Sequence, residues 1–141
     1  MLDIDPIGID IEKITDIDFK MADRYFSKEE YEYINVNERG KLDRFYEIWT
    51  FKESYIKVIG KGLSMLLNSF SVINNNTMFY NDIQYNFHKF DIDDNYKMSV
   101  CSVNTSINTN IIYVDEDEFI DILLKFWRNK IEEDTGRNCS V

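Results

Sequence analysis

The sequence predicts an α+β fold, and three observations carry that prediction. A stretch near the start alternates apolar and acidic residues with period two, two stretches separated by Gly40 follow helical spacing, and short β-rich runs come after them. Strand, helices, strands and a closing helix are the order of an α+β domain rather than of a parallel α/β sheet. At 141 residues the chain is expected to form one domain over 1–141 with a real core.

Pro6 precedes Ile7-Gly-Ile-Asp-Ile-Glu12, where Ile7, Ile9 and Ile11 alternate with Gly8, Asp10 and Glu12. That alternation reads as a strand with one apolar and one acidic face. The apolar face makes it a core-type strand, and a domain that opens on one hints at a segment before it. From Asp18 to about Val36 the spacing turns helical, and Ser27 followed by Glu30 is a capping-box pair that starts a helix near Lys28. A second helix is predicted from Leu42 to Ile59, closed by Gly60-Lys-Gly62. Strands are predicted at Phe70–Ile73, Ile83–Phe87 and Met98–Val103, with a fourth at Ile111–Val114. Glu116 to about Glu132 is predicted as an amphipathic helix whose stripe of Phe119, Ile122, Leu123, Phe126 and Trp127 is expected in the core, with a partner-facing role as the alternative.

Charge and composition narrow the function. A net charge of −10 speaks against nucleic acid, which calls for a basic face. The acidic clusters Asp115–Glu118 and Glu132–Asp134 read as solvated helix ends. No apolar run approaches the roughly 20 residues that span a bilayer, and Asp3 and Asp5 interrupt any signal-like start, so a cytoplasmic location is expected. Cys101 reads as a small buried hydrophobe, and Cys139 does not fit a prenylation box. His88, the single histidine, reads as a surface or core residue rather than a catalytic one.

The chemistry-bearing residues lie on the first strand and the long helix. Asp10 and Glu12, two apart on a strand, project from one face and repel unless a cation or proton intervenes. A hard oxygen-seeking ion such as Mg²⁺ suits the pair; a solvent-facing edge strand is the alternative. Glu53 and Lys57 are helical neighbours at i and i+4, beside Trp49 and Ile56, with Lys52 one position round the cylinder. An ordinary surface ion pair is the alternative there.

Gly8-Ile-Asp-Ile-Glu12, Trp49-Thr-Phe-Lys-Glu-Ser-Tyr-Ile-Lys57 and Gly60-Lys-Gly-Leu-Ser64 together closely resemble the paired signature of the 4′-phosphopantetheinyl transferase superfamily. Arg24-Tyr-Phe-Ser-Lys-Glu-Glu-Tyr31 resembles the family segment between the two motifs. The similarity is to the second half of the longer, surfactin-synthetase-activating type, and runs from about Pro6 to at least Val103. The resemblance implies the family fold and Mg²⁺-dependent transfer of the phosphopantetheine arm of coenzyme A to a serine of an acyl or peptidyl carrier protein, with release of 3′,5′-ADP. It implies that Asp10, Glu12 and Glu53 hold the metal and that Glu53 activates the carrier serine. Lys52 and Lys57 would contact phosphate oxygens, with Lys57 also neutralising the leaving group. The first half of the long enzymes is not matched. A catalytically incomplete half that binds only carrier protein or a missing N-terminal half is therefore the second reading, and a homo-oligomer is a further expectation. A metal-dependent phosphohydrolase using the same acids is the third.

Overall fold

The computed structural model describes residues 5–73 and 76–136, and only the backbone at 21, 23, 63 and 130–136. Cys139 lies outside the described residues, as do the side chains of Glu132–Asp134. The chain divides into two compact units, Met1–Thr109 and Asn110–Val141, each taken by itself below. The α+β prediction holds in the first. Strands β1 (Ile7–Lys13), β2 (Thr77–Tyr80), β3 (Ile83–Phe90) and β4 (Tyr96–Ser102) form one antiparallel sheet in the order β1-β4-β3-β2. Between β1 and β2 run helices α1 (Lys28–Ile34) and α2 (Lys41–Ile59), with a 3₁₀ turn at Phe19–Arg24 ahead of α1.

Helix α2 is the spine of the unit. Its buried residues include Ile48, Phe51, Tyr55 and Ile56, which join Phe70, Val72, Tyr85, Phe87 and Cys101 in the core. It starts and ends where expected, with Gly40 and Gly60 both in the left-handed region at φ 72° and 68°. Helix α1 starts at Ser27 through a complete capping box: Glu30 N donates to Ser27 Oγ and Ser27 N donates to Glu30 Oε2.

Strand β1 departs from the reading that made its isoleucines the core face. Ile7, Ile9 and Ile11 are about half exposed, whereas Gly8 and Asp10 are buried and Glu12 is half-buried. Gly8 decides this. A Cβ there would stand 1.9 Å from the Ser54 carbonyl oxygen and 2.7 Å from Val58 N, so only the glycine face admits α2 this closely. Gly8 pairs with Cys101 and Asp10 with Ser99, and the buried Ser99 Oγ donates to Ser54 Oγ at 3.1 Å. Small residues therefore draw the helix onto β1 and β4, and the period-two rule turns Asp10 and Glu12 toward the helix with Gly8.

Two predicted strands do not form. Phe70–Ile73 is irregular because its backbone is committed elsewhere: the Phe70 carbonyl accepts from Lys52 Nζ at 2.7 Å and Val72 N donates to Glu30 Oε1 at 2.8 Å. Ile111–Val114 is likewise not a strand, and Ile112 and Tyr113 are exposed. The strand that replaces them, β2, joins β3 through Asn81 and Asp82, both at positive φ, in a two-residue hairpin.

In the second unit α3 spans Glu116–Gly136. Asp115 caps it, its Oδ1 accepting from Asp117 N and Glu118 N, so the acidic cluster is a helix start as expected. Within this unit nothing covers the predicted apolar stripe among the described residues: Phe119, Ile122, Leu123, Phe126 and Trp127 are between 41% and 62% exposed.

Candidate active site

Strand β1 and helix α2 bring together four of the five residues singled out in the sequence. Lys57 Nζ donates to Asp10 Oδ1 at 2.7 Å and to the Ile9 carbonyl at 3.0 Å. The Asp10 side chain is only 7% exposed, against 50% for Lys57. Its other oxygen, Oδ2, is buried with no hydrogen-bond partner among the described residues. Glu12 is oriented by Trp49, whose Nε1 donates to Glu12 Oε1 at 3.3 Å. Trp49 is in turn fixed by aromatic neighbours, edge-on to Tyr25 at 5.9 Å and stacked on Phe45 at 6.0 Å. A largely apolar hollow of about 280 Å³, lined by Ile17, Asp18, Ala22, Tyr25, Phe45 and Trp49, lies beside the indole that holds Glu12.

Glu53 is half-buried on the same side of α2. Burial pushes its carboxyl above the usual glutamate range; the charge on Asp10 adds to the rise, Lys57 opposes it, and Glu12 adds a little more. The three carboxylates thus share one electrostatic field, with a single ammonium against them. They are not yet converged on one point: among the described residues no three Asp, Glu, His or Cys side chains form a group that could hold a metal ion. Lys57 and Trp49 occupy oxygens that such an ion would take. In donor type and charge the set still fits a hard divalent cation, since a buried carboxylate oxygen without a donor is costly and oxygen ligands are what Mg²⁺ takes.

Lys52 corrects the reading that placed it on phosphate. It points away from Asp10, is fully buried, and pairs with Glu30 at 2.8 Å, both side chains 0% exposed. Its ammonium donates to the carbonyls of Leu67 and Phe70, each at 2.7 Å, and lies 4.1 Å from the centre of the Phe70 ring. Desolvation lowers the Lys52 pKa, and the Glu30 charge works against that. The i, i+1 step from Lys52 to Glu53 is about 100° round the helix, which sends neighbours in sequence to different environments.

Sequence reasoning missed two residues here. Glu30 was visible only as a capping glutamate, and nothing in its spacing signals a lysine 22 positions later. Trp49 enters the sequence reading only as a flank of the Glu53–Lys57 pair, although an indole N–H beside an acidic strand is a donor in search of a partner. Cys101 and His88 fall as expected: the thiol is fully buried, with burial pushing it up to about 12, and His88 is half-buried on β3, its Nε2 3.5 Å from the Asn104 carbonyl.

Fold and residues together describe an α+β domain with a cluster of carboxylates and one lysine set between an edge strand and a helix. The sequence profile of the 4′-phosphopantetheinyl transferase superfamily matches residues 6–101, and the chain belongs to that superfamily. It is 35% identical over 126 residues to the 4′-phosphopantetheinyl transferase gsp of Aneurinibacillus migulanus, covering 84% of this chain and 53% of that protein. It is 36% identical over 130 residues to the 4′-phosphopantetheinyl transferase Sfp of Bacillus subtilis (strain 168), covering 84% of this chain and 56% of that one. The chain thus spans about half the length of these curated relatives. The crystal structure of Thermotoga maritima holo-[acyl-carrier-protein] synthase overlaps 79% of this chain and 70% of its own at 16% identity and a TM-score of 0.49.

Proposed function

We propose that this chain carries the catalytic face of an enzyme that moves the 4′-phosphopantetheine arm of coenzyme A to a serine of an acyl or peptidyl carrier protein. The serine oxygen forms a new bond to the phosphorus of the arm while the pyrophosphate bond breaks and 3′,5′-ADP leaves. The observation that carries this reading is the inward turn of Asp10 and Glu12 toward Glu53 and Lys57. Membership of the superfamily and the two 4′-phosphopantetheinyl transferase relatives support it.

Asp10, Glu12 and Glu53 would hold Mg²⁺, which when bound neutralises charge on the pyrophosphate oxygens. Glu53 takes the serine proton, directly or through water; a carboxyl raised above its usual range is better matched to that task near neutral pH than an ordinary one. Lys57, half exposed at the mouth of the site, meets the charge on the leaving phosphate. Trp49 keeps Glu12 in its orientation. A cytoplasmic location goes with this reading, and no helix among the described residues is long and apolar enough to cross a membrane.

A second reading is favoured by a specific observation: a chain matching about half of its relatives, with Ile7, Ile9 and Ile11 exposed on the edge strand of its first unit, has apolar surface to place. On that reading it acts only after joining a second half, or another copy of itself. Mass spectrometry of an apo carrier protein incubated with the chain, coenzyme A and Mg²⁺ tests the first reading. A phosphopantetheine increment supports transfer by this chain; its absence, with the fold intact and no detectable coenzyme A binding, favours the incomplete half.

A further inference from the structure

We infer that Lys57 is a placeholder cation: its ammonium and a divalent metal ion compete for the carboxylate of Asp10. The inference rests on the reading of Asp10, Glu12 and Glu53 as a cation site, and goes beyond it by giving Lys57 a role in loading that site.

Four observations lead to it. First, the ion pair is lopsided. Asp10 is almost fully buried and cannot leave, whereas half of the Lys57 side chain is in solvent, on a flexible four-carbon stem that can swing away. Second, the ammonium satisfies only one carboxylate oxygen. Oδ2 stays buried and unpartnered, so Lys57 neutralises Asp10 without meeting its hydrogen-bonding capacity. Third, the other contact of Lys57 is a single backbone carbonyl, that of Ile9, a far weaker anchor than the carboxylate and two carbonyls that enclose Lys52 on the same helix. Fourth, among the described residues no other lysine or arginine forms an ion pair with Asp10, Glu12 or Glu53, so the cluster leans on Lys57 alone.

Competition then follows from electrostatics. A metal ion on Asp10 with Lys57 still in place would set charges of +2 and +1 a few ångströms apart, both claiming the same Asp10 carboxylate. Like charges that close repel strongly, more so beside a buried group. The metal therefore displaces the ammonium, which moves outward into solvent. Until that happens Lys57 keeps three mutually repelling acids tolerable. It screens the cluster and delays its convergence.

The test is calorimetric titration of the full chain with Mn²⁺ alone, without coenzyme A or carrier protein. Wild type is compared with Lys57→Met and with Lys89→Met, a control at a lysine paired to Glu47 and two strands from Asp10 in the sheet register. Lys57→Met is expected to bind Mn²⁺ roughly tenfold more tightly or better, the loss of one charge-assisted hydrogen bond that the metal otherwise has to break. Lys89→Met should stay within about twofold of wild type, since a surface charge at that range is largely screened. In thermal melts with chelator, Lys57→Met should unfold below wild type and gain more than wild type on addition of Mn²⁺. Equal or weaker Mn²⁺ binding by Lys57→Met, with wild type binding normally, overturns the competition and leaves the metal site standing. No Mn²⁺ binding by either folded protein overturns the metal site and this inference with it. If Lys57→Met does not fold, the Lys57 ammonium of the wild type can be followed by nitrogen NMR. Its protons should lose protection as Mg²⁺ is added, and an unchanged signal at metal saturation overturns the inference.

Discussion

Lys52 and Lys57 sit on one helix, five residues apart, and each meets a carboxylate at 2.7–2.8 Å, yet the two pairs do different work. Around Lys52 every strong group is matched: Glu30 Oε2 takes the ammonium and Ser27 N, Glu30 Oε1 takes Val72 N, and two carbonyls complete the lysine. Around Lys57 an oxygen of Asp10 goes without a partner and half the lysine faces water. Closed polar networks rigidify a fold, whereas incomplete ones keep a reason to bind something. The distinction between a structural and a functional lysine lies in what remains unsatisfied, not in the strength of the pair.

The comparison breaks first at Lys52. Lys52→Met strands a buried Glu30 and is expected to cost about 3–5 kcal/mol, read as a drop in urea midpoint. The double change Glu30→Leu with Lys52→Met should recover most of that loss. A Lys52→Met protein as stable as wild type would mean that the pair is not closed in solution. Next comes Lys57, judged by transfer. Lys57→Ala should lower turnover by roughly a hundredfold with little change in fold, and Lys57→Arg should restore part of it, since arginine keeps the charge but not the geometry. Equal turnover in all three proteins would return Lys57 to a surface salt bridge. Gly8→Ala tests the scaffold beneath both. It forces β1 off α2 and is expected to cost about 1–3 kcal/mol in thermal or urea unfolding, while loosening the Lys57–Asp10 contact.

The smallest effect is expected at Glu53, and its sign is opposite. The folded state raises the pKa of this carboxyl, so ionised Glu53 weakens the fold: stability is lost as pH climbs from the ordinary glutamate value of 4.5 through the raised one. Glu53→Gln, measured with chelator, should therefore melt slightly higher than wild type near pH 7. The gain should vanish as pH falls below 4.5, where Glu53 is protonated in both the folded and the unfolded chain. A pH-independent difference would remove the electrostatic explanation.

Much of the fold and half of the site are legible in the sequence because local rules govern them. The capping box at Ser27, the glycines that bound α2 and the shared face of Asp10 and Glu12 each follow from spacing over a few residues. What was hidden depends on contacts across the chain. Which face of β1 turns inward is set by the approach of Ser54 to Gly8, and alternation alone is symmetric between faces. Phe70–Ile73 has a strand's composition, but its backbone is claimed by Lys52 and Glu30. By contrast Asn81-Asp82 was a local signal, a two-residue turn between aromatic runs, and it would have located β2 had it been weighed.

One consequence of the Glu30 network concerns when its bonds can open. The Val72 amide belongs to no strand ladder and lies in an irregular stretch, where amide protons usually exchange fast with solvent. Its acceptor is Glu30, which is held at the same time by the start of α1 and by Lys52 of α2. Freeing that one proton requires the segment, α1 and α2 to part together. Hydrogen exchange at Val72 should accordingly be as slow as in the centre of α2, giving a loop the kinetics of the core.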